Sequence, residues 1–165
     1  MSSWLLRGTV MSIVHIAARI ILSIAVVTAP LSSPIWRWLA IIAVVLVAMI
    51  WGGVDGIKDA RENADPDDYA DLTVRWLKVG VMAGLISCLV SWILGVWSPV
   101  SWLNGIGQAD FLIEILAGGS FITLVVYVPA FFGVTFGRFL IRREQRKAEQ
   151  QGEADEAATQ QIAPV

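Results

Sequence analysis

One cysteine, one histidine and two tyrosines stand in a chain of 165 residues, and each scarcity removes a class of chemistry. Cys88 alone can form no intramolecular disulfide and no thiolate cage; inside an apolar run it reads as a small packing residue. His15 alone supplies neither a two-histidine haem nor a typical zinc site, so no cofactor and no metal is expected. A Ser/His/Asp grouping, a phosphate-cradling glycine loop and a carboxylate pair at one depth are all missing, which argues against an enzyme. Charge is scarce as well, at 16% of residues. The basic residues lack the aromatic, base-reading pattern of a nucleic-acid surface, so nucleic acid is not an expected partner.

What the chain has in abundance is apolar length. Hydrophobic residues make up 56% and the mean hydropathy is +0.68, far above what a soluble domain of this size needs for its core. Four runs, 8–28, 35–54, 76–97 and 111–139, each reach the roughly 20 residues that span a bilayer core of about 30 Å. Backbone groups in lipid must be satisfied internally, which leaves helices as the spanning element. The expected fold is all-α: an integral membrane bundle of four transmembrane helices over 1–141, then a basic helical extension and a disordered cytoplasmic tail over 142–165. The first run has the basic flank and small-residue site of a secretory signal at Arg7 and Val27-Thr28-Ala29, but Pro30, His15 and Arg19 favour a retained helix.

Basic residues set the expected orientation. Arg37 alone marks the connection of the first and second runs, at the start of the second, and none falls between the third and fourth. Lys58, Arg61, Arg75 and Lys78 flank the second connection, while Arg138, Arg142, Arg143, Arg146 and Lys147 follow the fourth run. The positive-inside bias therefore puts both termini in the cytoplasm, with the protein in the plasma membrane. Tryptophans prefer the interfaces, so Trp36, Trp38, Trp97 and Trp102 are expected outside, Trp4, Trp51 and Trp76 inside, and Trp92 deeper. The cluster Asp65, Asp67, Asp68 and Asp71 reads as helix capping rather than a cation site, because Asp65 precedes Pro66 as an N-cap precedes a first-turn proline. Arg142, Arg143, Arg146 and Lys147 mark either the topology signal of the fourth helix or a contact with anionic lipid headgroups.

Helix association in lipid depends on small residues that let backbones approach. Gly52 with Gly56, Gly80 with Gly84, and Gly133 with Gly137 form GxxxG pairs, all in the cytoplasmic half, so tight packing there and opening outward are expected. Within the first run, Arg19 falls near the midplane, where an uncompensated guanidinium costs about 2.5 to 3.5 kcal/mol. His15, one turn away on the same face, adds a titratable group. Depth counted along each run puts Ser87 and Tyr127 level with Arg19, beside the Val125 carbonyl freed by a kink at Pro129. Glu114 counts as about 16 Å away along the normal, so neutral coordination of Arg19 is expected. These five residues, Arg19, His15, Ser87, Tyr127 and Glu114, are the candidate substrate or coupling site; the competing reading makes Arg19 and His15 buried bridges between helices.

With four helices, the start "MSSWLLRG", the segment "WGGVDGIKDARENADPDDYADLTVRWLKVG" and the late "PAFFGVTFGRFL", the chain resembles small actinobacterial membrane proteins classed as four-helix relatives of the drug/metabolite transporter superfamily. That resemblance covers about residues 1–143 and implies inner-membrane residence, small-molecule export and a homodimer or larger membrane complex. Small multidrug exporters carry a glutamate in the first helix where this chain has His15 and Arg19, so cation/proton exchange does not carry over. The expected function is transporter-like, with an Arg site for an anionic, zwitterionic or lipid-like substrate. Its alternatives are a non-transporting accessory subunit of a larger cell-envelope complex and, more weakly, a lipid-binding scaffold.

Overall fold

The computed structural model describes residues 3–63, 65–97, 106–107 and 109–162, and among these every regular element is helical. Helix α1 is Ser3–Thr28, α2 is Ser33–Glu62 and α3 is Leu72–Trp97. The fourth, α4, starts as Phe111–Ile113, widens into a π-helical turn at Glu114–Gly118 and runs on as Gly119–Ile162. All four are long and apolar enough to cross a membrane. Trp102, expected at an interface, lies outside the described residues.

The helices overrun the apolar runs because helix formation does not stop where lipid does. Helix α2 carries on through the polar "KDARE" to Glu62. Helix α4 continues to Ile162, through a segment whose lost apolar periodicity points to a tail but whose Ala, Glu and Gln are good helix formers. The acidic connection is more divided than the capping pattern predicts. Asp65 accepts from the Asp67 backbone N–H at 3.0 Å, but the turn it starts is a short 3-10 turn, Pro66–Asp68. The cap of α3 itself is Asp71, whose carboxylate accepts from the Val74 N–H at 3.0 Å.

Glycine meshes the bundle. Helices α2 and α4 run in the same direction with backbones in contact: a Cβ on Gly133 would sit 2.1 Å from the Met49 carbonyl oxygen, and one on Gly56 would sit 2.3 Å from that of Val134. Helix α3 crosses α4 through Gly80 and Gly84, where Thr123 Oγ1 hydrogen-bonds the Gly119 carbonyl at 2.8 Å and reaches that of Gly80 at 3.3 Å. Helix α1 leans on α3, with Gly8 beneath Met82. The core between them holds Met11, Val44, Trp76, Val79, Val126 and Ala130. Trp76 is fully buried and edge-to-face with Trp51 at 6.2 Å, so it is a core ring rather than the interfacial one its position predicts.

At the end away from the termini the chain folds back into the bundle. Gly107, at φ +62°, lies against Ser91 and Trp92: a Cβ there would meet the Ser91 carbonyl oxygen at 2.3 Å, and the left-handed backbone itself favours glycine. Ile106 is buried against Gly95. Helix α4 consequently begins level with Trp92, whose ring meets Phe111 edge-on at 5.0 Å. That start lies about five residues, or roughly 7 Å at 1.5 Å per residue, inside the end of α3 at Trp97.

Candidate functional site

Among the described residues three arginine–carboxylate pairs link the helices, and they differ in completeness. At the end carrying the termini, Arg7 of α1 grips Asp55 of α2 with two bonds, Nε to Oδ2 at 2.7 Å and Nη2 to Oδ1 at 2.6 Å. Nearby, Arg138 of α4 donates to Asp59 through Nε at 2.8 Å and through Nη2, and Nη2 also reaches the Ala70 carbonyl at 2.8 Å. Asp59 Oδ1 in turn accepts from the Ala70 N–H at 3.0 Å and from the Asn63 amide at 3.3 Å. The Arg7 fork matches both oxygens of its carboxylate, the geometry that makes arginine the residue of choice for such pairs, whereas the two Arg138 donors converge on the single oxygen Asp59 Oδ2.

The third pair is Arg19 of α1 with Glu114 of α4, Nη1 to Oε1 at 2.6 Å. This overturns the expected neutral coordination. Counting depth from the apolar runs puts Phe111 at the membrane surface, whereas the fold-back at Ile106 and Gly107 starts α4 deeper and carries Glu114 to Arg19. The π-helical turn begins at Glu114 itself, and such turns recur at functional positions. Gly118, one turn on, keeps the carboxylate's surroundings clear: a Cβ there would lie 3.1 Å from Cys88 Sγ and 3.7 Å from the Glu114 carboxyl. Cys88 Sγ is also 3.9 Å from Arg19 Nη1.

Arg19 makes these bonds through Nη1 alone among the described residues, so its Nε and Nη2 donors are uncommitted. Beside it is a cavity of about 320 Å³ between α1, α2 and α4. His15, Arg19, Arg37 and Glu114 supply its ionisable groups, and Ala18, Ala40, Val44 and Val125 are among its apolar walls. A further hollow of about 280 Å³ shares Arg19, Leu22 and Arg37 and extends past Val26 and Val27 toward the end away from the termini. His15 Nδ1 is buried without a hydrogen-bond partner. Two guanidinium groups face one carboxylate here, so with neutral His15 the cavity carries one net positive charge.

The other expected participants, Ser87 and Tyr127, do not line this cavity. Ser87 is buried, and its hydroxyl donates to the Ala83 carbonyl within its own helix. Tyr127 stacks obliquely on Phe131 at 6.2 Å. The register set by Gly84 against Gly119 and Gly80 against Thr123 puts Tyr127 level with Trp76, about 16 Å from Ser87 along the helices. Helix α4 stays helical on both sides of Pro129, and Val125 contributes to the cavity wall. Sequence reasoning missed Arg37 and Gly118. Arg37 does carry a signal, as the lone charge in an otherwise uncharged connection; Gly118 is flagged only by the small-residue cluster Gly118-Gly119-Ser120.

A third concavity, about 620 Å³, lies along α4 at the end carrying the termini, with Arg142, Arg143, Arg146 and Lys147 on its walls. Arg142 donates to the Tyr69 hydroxyl at 3.1 Å, and the Arg138 and Arg142 guanidinium groups lie over the Tyr69 ring at 4.6 and 4.8 Å. Arg143, Arg146 and Lys147 are exposed. No protein-family model matches this chain, and no curated protein matches it. The site's own geometry therefore carries the functional reading.

Proposed function

We propose that this is a small transporter-like membrane protein that takes an anionic, zwitterionic or lipid-like substrate at the Arg19–Glu114 cavity, with both termini in the cytoplasm. The observation that carries the reading is a cavity inside the bundle holding two arginines, one carboxylate and an unpartnered histidine nitrogen. Uncommitted guanidinium donors beside a cavity favour an anionic group. Glu114 holds Arg19 in place and offers a carboxylate to the cationic end of a zwitterion. The orientation rests on the excess of Lys and Arg at the end carrying the termini, against Arg37 alone at the other.

Thermal unfolding of the detergent-solubilised protein tests this, with inorganic phosphate, benzoate and glycine betaine as ligands and tetraphenylphosphonium as the cationic control. Phosphate, benzoate or betaine is expected to raise the unfolding midpoint of the wild type but not of the Arg19→Gln variant, and the cation to leave it unchanged. Stabilisation by the cation alone, or the same anion response in Arg19→Gln, overturns the assignment.

One observation favours the accessory reading. The final stretch of α4, Gly119–Ile162, has 44 residues and is about 66 Å long, roughly twice a bilayer core. Its projecting polar part is a surface for a cytoplasmic partner. Stable co-purification of a membrane complex that dissociates when residues 148–165 are removed would support that role.

A further inference from the structure

The Arg19–Glu114 cavity does not stop at the bundle's own walls. Helices α1 and α2 part beside it, leaving an apolar fissure of about 420 Å³ lined by alanines of both helices, among them Ala17, Ala25 and Ala43. Ala18, Leu22, Ala40 and Val44 line both the fissure and the charged cavity, so the two spaces adjoin. Ile21, Leu39 and Val47, which also line the fissure, are exposed on the bundle's outer surface, the surface that lipid covers in a spanning bundle. The result is a polar chamber inside the bundle with an apolar slot beside it on the lipid side.

From this juxtaposition we infer that the substrate is an anionic amphiphile with a single alkyl chain, reaching the site sideways from the bilayer. Its headgroup sits at Arg19 and Arg37, and its chain lies in the α1–α2 fissure. The inference rests on the anion reading above and narrows it. Lipid surrounds any bundle with alkyl chains, so the chain alone confers no preference; selection comes from the charged head, which finds a net positive chamber adjoining this apolar slot. Arg37 is the head's first contact, because it is exposed at the start of α2 and pairs with no carboxylate among the described residues. Arg19 lies deeper, and its uncommitted donors complete the grip.

The test uses the full chain in phosphatidylcholine nanodiscs, photolabelled with dodecyl phosphate bearing a mid-chain diazirine and mapped by mass spectrometry. Labelling is expected to concentrate on fissure residues such as Ala17, Leu39 and Ala43, and to be displaced by excess unlabelled dodecyl phosphate. It should fall roughly tenfold in Arg37→Gln, which removes a charge-assisted contact, and in Ala43→Trp, which fills the slot from its exposed side. A neutral dodecanol probe with the same diazirine should label the fissure no more than the rest of the bundle. Circular dichroism of both variants separates lost binding from lost folding. Diffuse labelling, or equal labelling by the neutral probe, overturns the amphiphile inference. If phosphate still stabilises the protein through Arg19 in that case, the anion reading stands and only the lateral route falls; if it does not, both fall together.

Discussion

The Asp59–Arg138 cluster and the Arg19–Glu114 pair are built from the same two kinds of side chain, yet they do different work. Around Asp59 two guanidinium donors converge on one carboxylate oxygen, the other oxygen takes two further donors, and the Ala70 backbone is bonded on both its N–H and its carbonyl. Both carboxylate oxygens are committed, and three segments of chain are pinned together. Around Glu114 only Nη1 of the arginine is engaged, His15 Nδ1 has no partner, and a cavity adjoins both. Satisfied networks hold an architecture, whereas partly satisfied ones beside a cavity can accept something more.

Breaking the satisfied cluster should cost most. Asp59→Ala leaves the Ala70 N–H without its acceptor and Arg138 with the Ala70 carbonyl alone, and removal of one partner from a buried pair costs about 3 kcal/mol or more. Cys88, the single and fully buried thiol, makes the measurement direct: a thiol-reactive fluorophore should react at a much lower temperature in Asp59→Ala than in wild type. Gly133→Ala comes next. Its added methyl meets the Met49 carbonyl oxygen in the rigid α2–α4 contact, and such overpacking costs about 2 kcal/mol, read as a smaller downward shift in the same assay.

Glu114→Ala should be milder, about 1 kcal/mol, because Arg19 lies beside a cavity that water can enter. Its larger consequence is on selectivity: zwitterionic betaine should lose its stabilising effect while inorganic phosphate keeps its own. A stability loss equal to that of Asp59→Ala would erase the distinction between the two centres. Gly152→Ala marks the lower limit. Nothing lies within 4 Å of a Cβ there, so the thiol-exposure midpoint should not move, although the projecting helix gains up to about 1 kcal/mol of local propensity detectable by circular dichroism.

Much of the site was present in the sequence as a list of residues and absent as an arrangement. Arg19, His15 and Glu114 stand out because ionisable side chains are expensive in apolar runs, and that cost is local. Tyr127 was misplaced because its depth was inferred from an assumed helix start, and depth along one helix carries no information about its neighbour. Trp76 was misplaced for a related reason: the preference of indole for an interface yields when the surrounding helices leave a core site of its size. Arg37 counted as a topology marker until the parting of α1 and α2 opened the cavity beside it.

Four membrane-length helices follow from the sequence alone, since hydropathy accumulates along the chain and backbone hydrogen bonding in lipid permits few alternatives. Arg19's partner does not. It depends on Ile106 and Gly107 packing back against α3, on the wide turn at Glu114, and on the approach that glycines permit between α4 and its neighbours. Each of these is a contact between segments far apart in the chain, where a shift of one helical turn changes which side chains meet. Only the folded bundle decided that a carboxylate, rather than a tyrosine and a freed carbonyl, faces the arginine.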